Sequence, residues 1–209
     1  VYGITTGFGK FSDVLISKDK TKKLQRNLIV SHACGVGEPL HEEIVRGIML
    51  LRANALSKGF SGIRLSTLNT LLDMLNKGVH PVIPEKGSLG ASGDLAPLAH
   101  MVLVMLGEGE AYYHGERMPG DKAMKLAGIP IVELTSKEGL ALINGTQVMT
   151  SIGTLALYDS INLAKTADII SALTLEALNG IVTAFDERVQ LVRAHKGQID
   201  TAKNILRIV

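Results

Sequence analysis

The chain has 209 residues, enough for one large domain or two small ones with an ample core. A formal net charge of +2 without a basic run disfavours nucleic acid or an anionic membrane as a main partner. A single cysteine, Cys34, excludes a disulfide within the chain and fits a reducing, cytoplasmic compartment; no uninterrupted apolar run approaches the ~20 residues of a membrane span, and no N-terminal signal pattern is visible.

Apolar residues make up 46 % of the chain and aromatic residues 4 %, with Ala, Leu, Ile and Val carrying the load, which favours packed helices over a β-sandwich. Residues 1–16 read as an irregular Gly-rich loop. Ser17 is expected to cap a helix reaching about Ala33, with Leu24 and Leu28 on one face. Gly35 to Pro39 breaks the chain. A second helix is expected from about His41 to Lys58, with Ile44, Ile48, Leu51 and Ala55 at helical spacing and Gly59 just past its end. Ser66 can cap a third, with Leu68, Leu72 and Leu75 inward and Gly78 ending it. Val79 to Pro84 reads as an extended connector, because each proline biases its predecessor away from helix.

Residues 94–107 are apolar nearly all round, the pattern of a helix buried on every side. Glu110 to Met118 reads as a hairpin turning at His114-Gly115, and Thr135-Ser136-Lys137-Glu138 as a capping box. Long helices are expected over 146–165 and 166–183, either separate or continuous, with Asp186 and Asp200 capping two more. The expected fold class is mainly α: a loop-rich globular part over 1–143, then the start of a helical bundle over 144–209. Val1 is not an initiator Met, and the last residues are apolar and periodic without a Gly or Pro stop, so a portion of a longer protein is expected. A mean hydropathy of +0.24 suggests helix faces awaiting partners.

The stretch from Gly87 to His100 holds the most chemistry. In Ala91-Ser92-Gly93, Gly93 has no side chain, so its amide nitrogen can approach the Ala91 carbonyl carbon; Ala91 is small, and the Ser92 hydroxyl can leave as water. Ring closure with two dehydrations would make a methylidene-imidazolone, an electrophile built from the chain. The bare tripeptide also reads as a flexible loop. Asp94 can cap the following helix, placing the tripeptide at a helix N-terminus. Tyr2, in a Gly-rich loop, is either a surface tyrosine or a phenol available as base or donor. His32 is either a structural group at a helix end or a ligand partner, and Asn144 either a turn residue or an orienting amide. The remaining histidines have no metal-ligand spacing, and no Ser-His-Asp arrangement or phosphate loop is visible, so no metal or nucleotide is expected.

Taken with Tyr2-Gly3-Ile4-Thr5-Thr6-Gly7-Phe8-Gly9, Ser31-His32-Ala33-Cys34-Gly35-Val36-Gly37, Arg52-Ala53-Asn54-Ala55-Leu56, Lys137-Glu138-Gly139-Leu140, Asn144-Gly145-Thr146 and His195-Lys196-Gly197-Gln198-Ile199-Asp200, this stretch resembles the aromatic amino acid ammonia-lyases. The likeness runs over essentially the whole chain and matches the N-terminal portion of such proteins. It implies a helical ammonia-lyase or aspartase-like architecture, and a 4-methylidene-imidazol-5-one (MIO) formed from Ala91, Ser92 and Gly93, with Asp94 helping to position the ring-closing backbone. It implies Tyr2 as the base for the substrate's β-proton, His32 as the residue tuning substrate choice and Asn144 as the amide holding substrate or electrophile. A Ser31-His32 pair is similar to the histidine-specific members, which implies L-histidine as substrate and urocanate and ammonia as products. It also implies a homotetramer of the full-length protein. The family site's later tyrosine, arginine and glutamate have no counterpart here, so this stretch alone is expected to be inactive. The alternatives are a tyrosine or phenylalanine lyase, an aminomutase using the same group, or a helical scaffold without chemistry.

Overall fold

The computed structural model describes residues 1–17, 20–91 and 93–209, and the chain divides into two compact units, Val1–Gly153 and Thr154–Val209. In the first unit α1 (Thr21–His32), α2 (Glu42–Ser57) and α3 (Leu65–Lys77) precede α4 (Leu95–Met105), α5 (Gly120–Leu126) and α6 (Glu138–Ile143). The helix α4 is the hub. Leu98, Ala99, Met101, Val102, Val104 and Met105 are all fully buried on it, as its unbroken apolar pattern requires, and it packs on α1, α5 and α6. Each of the larger side chains contributes about 2 kcal/mol by leaving water.

Two small antiparallel sheets join these helices. Strand β1 (Val36–Pro39) pairs with β3 (Pro84–Lys86), and β2 (His80–Pro81) pairs with β4 (Glu110–Tyr113), which pairs with β5 (Glu116–Pro119). The β4–β5 hairpin turns at His114-Gly115, both with positive φ, as its sequence predicts. The two segments read as a chain break and a connector are strands, because their prolines already hold them extended.

Several helix starts differ from expectation. Thr21, not Ser17, begins α1; the Ser17 carbonyl accepts from Lys20 N–H (3.0 Å), and Lys18 and Asp19 lie outside the described residues. The buried stripe of α1 is Thr21, Gln25 and Ile29, while Leu24 and Leu28 face a cleft. Ser66 lies inside α3, whose N-cap is Arg64. The Thr135–Glu138 box is half realised. The Glu138 carboxylate accepts from Thr135 N–H (2.8 Å), but the Thr135 hydroxyl donates to that carboxylate (3.1 Å) rather than capping a backbone N–H.

The boundary between the units falls within α7 (Gln147–Ala177), so the continuous alternative for this stretch is the one that forms. The helical run Glu138–Ala177 is, by length and composition alone, long and apolar enough to cross a bilayer. Asp159, Lys165 and Asp168 interrupt it, which is why no unbroken apolar run shows in the sequence. Leu157, Tyr158, Ile161, Leu163, Ile170 and Leu173 are exposed along it. The second unit also holds α8 (Glu187–Leu191) and α9 (Lys196–Ile208), with Ala172, Ala202 and Ile205 buried. Asp186 caps α8 by accepting from Arg188 N–H (2.9 Å). Asp200 caps nothing; it lies inside α9, paired with Lys196, and His195 is the N-cap.

Candidate active site

Helix α1 carries Leu24, Asn27, Leu28 and Ser31 at three- and four-residue spacing, so all lie on one face. That face, the Gly-rich N-terminal loop and the end of α6 enclose a cleft of about 810 Å³, the size of a small-molecule site. Three predicted site residues line it: Tyr2, His32 and Asn144. Phe8, Phe11, Leu95 and Ile143 are part of its apolar wall, with Leu24 and Leu28. Sequence reasoning singled out none of the first four. The signal for Asn27 was available in its helical spacing from Leu24 and Ser31.

The Tyr2 hydroxyl oxygen accepts a hydrogen bond from Gly9 N–H (3.1 Å), and its ring meets Phe8 edge-on at 5.8 Å. The backbone donor and the edge-on ring contact together fix where the phenol oxygen sits. His32 has a defined tautomer. Its Nδ1 lies 2.8 Å from the Leu28 carbonyl and 3.1 Å from the Ser31 hydroxyl oxygen, and the Ser31 hydroxyl donates to the same carbonyl (3.0 Å). A carbonyl can only accept, so Nδ1 carries a proton, and in the neutral ring Nε2 is then the acceptor. The segment after His32 is tied down by Gly35 N–H donating to His100 Nε2 (3.0 Å). Burial holds His100 below the usual histidine range, which keeps that acceptor neutral.

Ser92 lies outside the described residues. Ala91, Gly93 and Asp94 do not line the cleft; Gly93 abuts its wall at Asn144. Gly93 has φ +131°, and a Cβ there would sit 2.5 Å from Asn144 Oδ1 and 3.3 Å from Gly145 N. A ring-closing glycine needs both a backbone other residues avoid and the absence of a side chain, so the residues present fit a cyclised Ala91-Ser92-Gly93. Asp94 follows, with its N–H donating to the Gly145 carbonyl (2.6 Å).

Asp94 is not the side-chain cap of α4 that its position suggests. Its fully buried carboxylate accepts from Val148 N–H and Met149 N–H (both 3.0 Å) and from the Ser88 hydroxyl (2.5 Å). It caps α7, more than fifty residues away in sequence, and so clamps the tripeptide's exit to the Asn144-Gly145 turn. The start of α6 is fixed by Glu138, which accepts from Arg64 N–H, Nε and Nη2, from the Thr67 hydroxyl and from Thr135. Burial alone would push Glu138 up; the hydrogen bonds from Arg64, Thr135 and Thr67 outweigh it and bring the carboxyl down to about 2. Through α6 this cluster sets the position of Asn144. No group of three or more His, Cys, Asp or Glu that could hold a metal occurs among the described residues.

Fold and cleft define the class: a mainly helical protein with a cleft of small-molecule size that carries a phenol, an imidazole and an amide beside Gly93, whose φ is positive. The chain belongs to the aromatic amino acid lyase family, whose model matches residues 1–209. It is 74 % identical over 209 residues to a histidine ammonia-lyase of Alkaliphilus oremlandii and 71 % identical to one of Alkaliphilus metalliredigens, covering 100 % of this chain and 41 % of each relative. The chain thus spans about two fifths of the length of the curated relatives it matches. Among solved structures, histidine ammonia-lyase from Trypanosoma cruzi superposes with a TM-score of 0.92 at 40 % identity, over 98 % of this chain and 40 % of that one. Pantoea agglomerans phenylalanine aminomutase does so with a TM-score of 0.92 at 41 % identity, over 99 % of this chain and 40 % of that one. The fold is therefore that of the ammonia-lyases and aminomutases.

Proposed function

We propose that the full-length protein eliminates ammonia from L-histidine to give urocanate, using an MIO group formed from Ala91, Ser92 and Gly93. The observation that carries this reading is the convergence of Tyr2, His32 and Asn144 on one cleft, with Gly93 packed against Asn144. The obstacle to the reaction is a β-proton that is barely acidic. The MIO group would supply an electron-poor carbon that draws electrons from the substrate. The chain's own residues do the rest. Tyr2 would act as the base for the β-proton, with Gly9 N–H holding its oxygen in place. His32 accepts a hydrogen bond from the substrate imidazole at Nε2. The Asn144 amide orients the substrate, and the apolar wall excludes water.

Histidine is preferred over phenylalanine or tyrosine because a hydrogen-bonding Nε2 on an apolar wall suits an imidazole N–H, and because relatives at 74 % and 71 % identity carry the histidine ammonia-lyase name. The reading includes residues 1–143 as the electrophile-bearing part, 144–209 as the start of a bundle, a homotetramer whose contacts cover the exposed apolar face of α7, and a cytoplasmic setting suited to a free Cys34. The test is intact mass and product analysis of the full-length protein. A loss of two waters and urocanate formed from histidine are expected, with little cinnamate or coumarate from phenylalanine or tyrosine. A full-mass protein releasing no ammonia from any of the three would overturn the proposal.

Two substitutions follow. Tyr2→Phe should lower kcat by about 10²- to 10⁴-fold, the usual weight of a positioned proton acceptor, with the mass loss retained; steady-state kinetics and mass read both. His32→Leu should lower kcat/KM for histidine roughly tenfold, one hydrogen bond's worth, and leave phenylalanine no worse a substrate than before. Equal losses for both substrates would remove His32 from substrate choice.

A further inference from the structure

Arg52, on α2, lies outside the cleft. Its side chain is buried, with 4 % of the residue exposed, yet it belongs to none of the ion pairs among the described residues. Its partners are neutral. Nη1 donates to Gln147 Oε1 (2.9 Å) and Nη2 to the Ala141 carbonyl, while Nε finds no acceptor. Burial lowers Arg52 to about 10, so it stays charged at neutral pH. An unpaired buried cation is a costly way to pin α2, α6 and α7 together, and apolar side chains often do such work as well.

Its position suggests a use for the charge. Gly145 is packed so closely on Nη1 that a Cβ there would overlap the guanidinium. The other side of the same turn meets the tripeptide: Gly145 N lies 3.3 Å from where a Gly93 Cβ would be, and the Gly145 carbonyl accepts from Asp94 N–H (2.6 Å). One backbone residue therefore separates the guanidinium from the segment that cyclises. The nearby negative charge, Asp94, is already taken up by two α7 N–H groups and the Ser88 hydroxyl.

We propose that Arg52 is a positioning residue for ring closure: it holds the Asn144-Gly145 turn against Gly93 and supplies positive potential as the Ala91-Ser92-Gly93 backbone cyclises. This rests on the reading of that tripeptide given above. In closure the Gly93 nitrogen bonds to the Ala91 carbonyl carbon, and negative charge passes to the carbonyl oxygen. That oxygen leaves as water with the amide hydrogens of Ser92 and Gly93. The Ser92 hydroxyl leaves as a second water with the Ser92 α-hydrogen. A preoriented buried cation favours the charge that builds in the first step.

The experiment uses the full-length protein and follows the loss of two waters by mass against time after synthesis, beside thermal unfolding and turnover. Arg52→Gln is expected to cyclise at least about tenfold more slowly, and Arg52→Lys, which keeps the charge, to recover most of the rate. Gln147→Glu is the decisive variant. It keeps the acceptor on Arg52 and adds the missing countercharge, so a purely structural role predicts unchanged or higher stability and normal maturation, whereas the proposal predicts slow maturation in a stably folded protein. The inference is overturned if Gln147→Glu cyclises at the parent rate, or if Arg52→Lys and Arg52→Gln are impaired equally. A parent that never loses water instead refutes the tripeptide reading, and parent and variants can be told apart on the same mass spectrum.

Discussion

Gly93→Ala in the full-length protein is expected to leave the tripeptide an ordinary peptide and to lower turnover by at least about 10⁴-fold, the scale of losing a covalent catalytic group. Two independent obstacles act at this position. A backbone at φ +131° costs any L side chain on the order of 1–3 kcal/mol. The added Cβ would also lie 2.5 Å from Asn144 Oδ1, so either Gly93 retreats from the ring-closing geometry or the Asn144 amide is pushed from the cleft wall. The strain and the clash should also lower the thermal midpoint by several degrees, since each kcal/mol is worth about 2–4 °C in a chain of this size, which is far too little to account for the loss of turnover. Ser92→Ala is the companion variant. It removes the leaving hydroxyl without adding a clash at Gly93, and it should give the same full mass. Loss of two waters in either variant would sink the assignment.

Glu138→Ala is expected to have the largest effect on stability, about 2–3 kcal/mol, because removing the buried carboxylate leaves the buried Thr67 hydroxyl and the Thr135 donors unpaired, while the half-exposed Arg64 guanidinium keeps the Glu133 carbonyl. The pH dependence has a definite sign. The folded carboxyl is held down to about 2 against an ordinary value of 4.5. Its contribution is therefore fully present above pH 4.5 and is lost as pH falls from there through 2, on the order of 2 kcal/mol once partial solvent screening is allowed for. Denaturant midpoints of parent and Glu138→Gln at pH 7, 4.5 and 3 check this. The parent should lose stability over that range, and the Gln variant should show a visibly flatter profile. Because α6 leads directly to Asn144, the same variants should weaken substrate orientation; parallel pH profiles would remove Glu138 from the cluster's energetics.

Local chemistry was legible where its signals are short in range. The all-round apolar pattern of α4, the His114-Gly115 turn and the Asp186 cap each follow from neighbours in sequence. Helix starts were less legible, because Arg64, Lys20 and His195 begin helices without side-chain caps, and no residue type marks such a position. Leu24 and Leu28 illustrate a further limit. Helical spacing shows that they share a face, but a face lining a cleft and a face buried in a core have the same apolar pattern.

By itself, then, the sequence determined a mainly helical chain and the family it belongs to, and it offered Ala91-Ser92-Gly93, Tyr2, His32 and Asn144 as candidates. Only the tertiary structure decided that Tyr2, His32 and Asn144 line one cleft, that the Asp94 carboxylate caps α7 rather than α4, and that Arg52 lies buried behind Gly145. The reason is physical. Propensity and periodicity act over a few residues, whereas a buried charge takes whatever partners packing brings to it, and those lie tens of residues away along the chain.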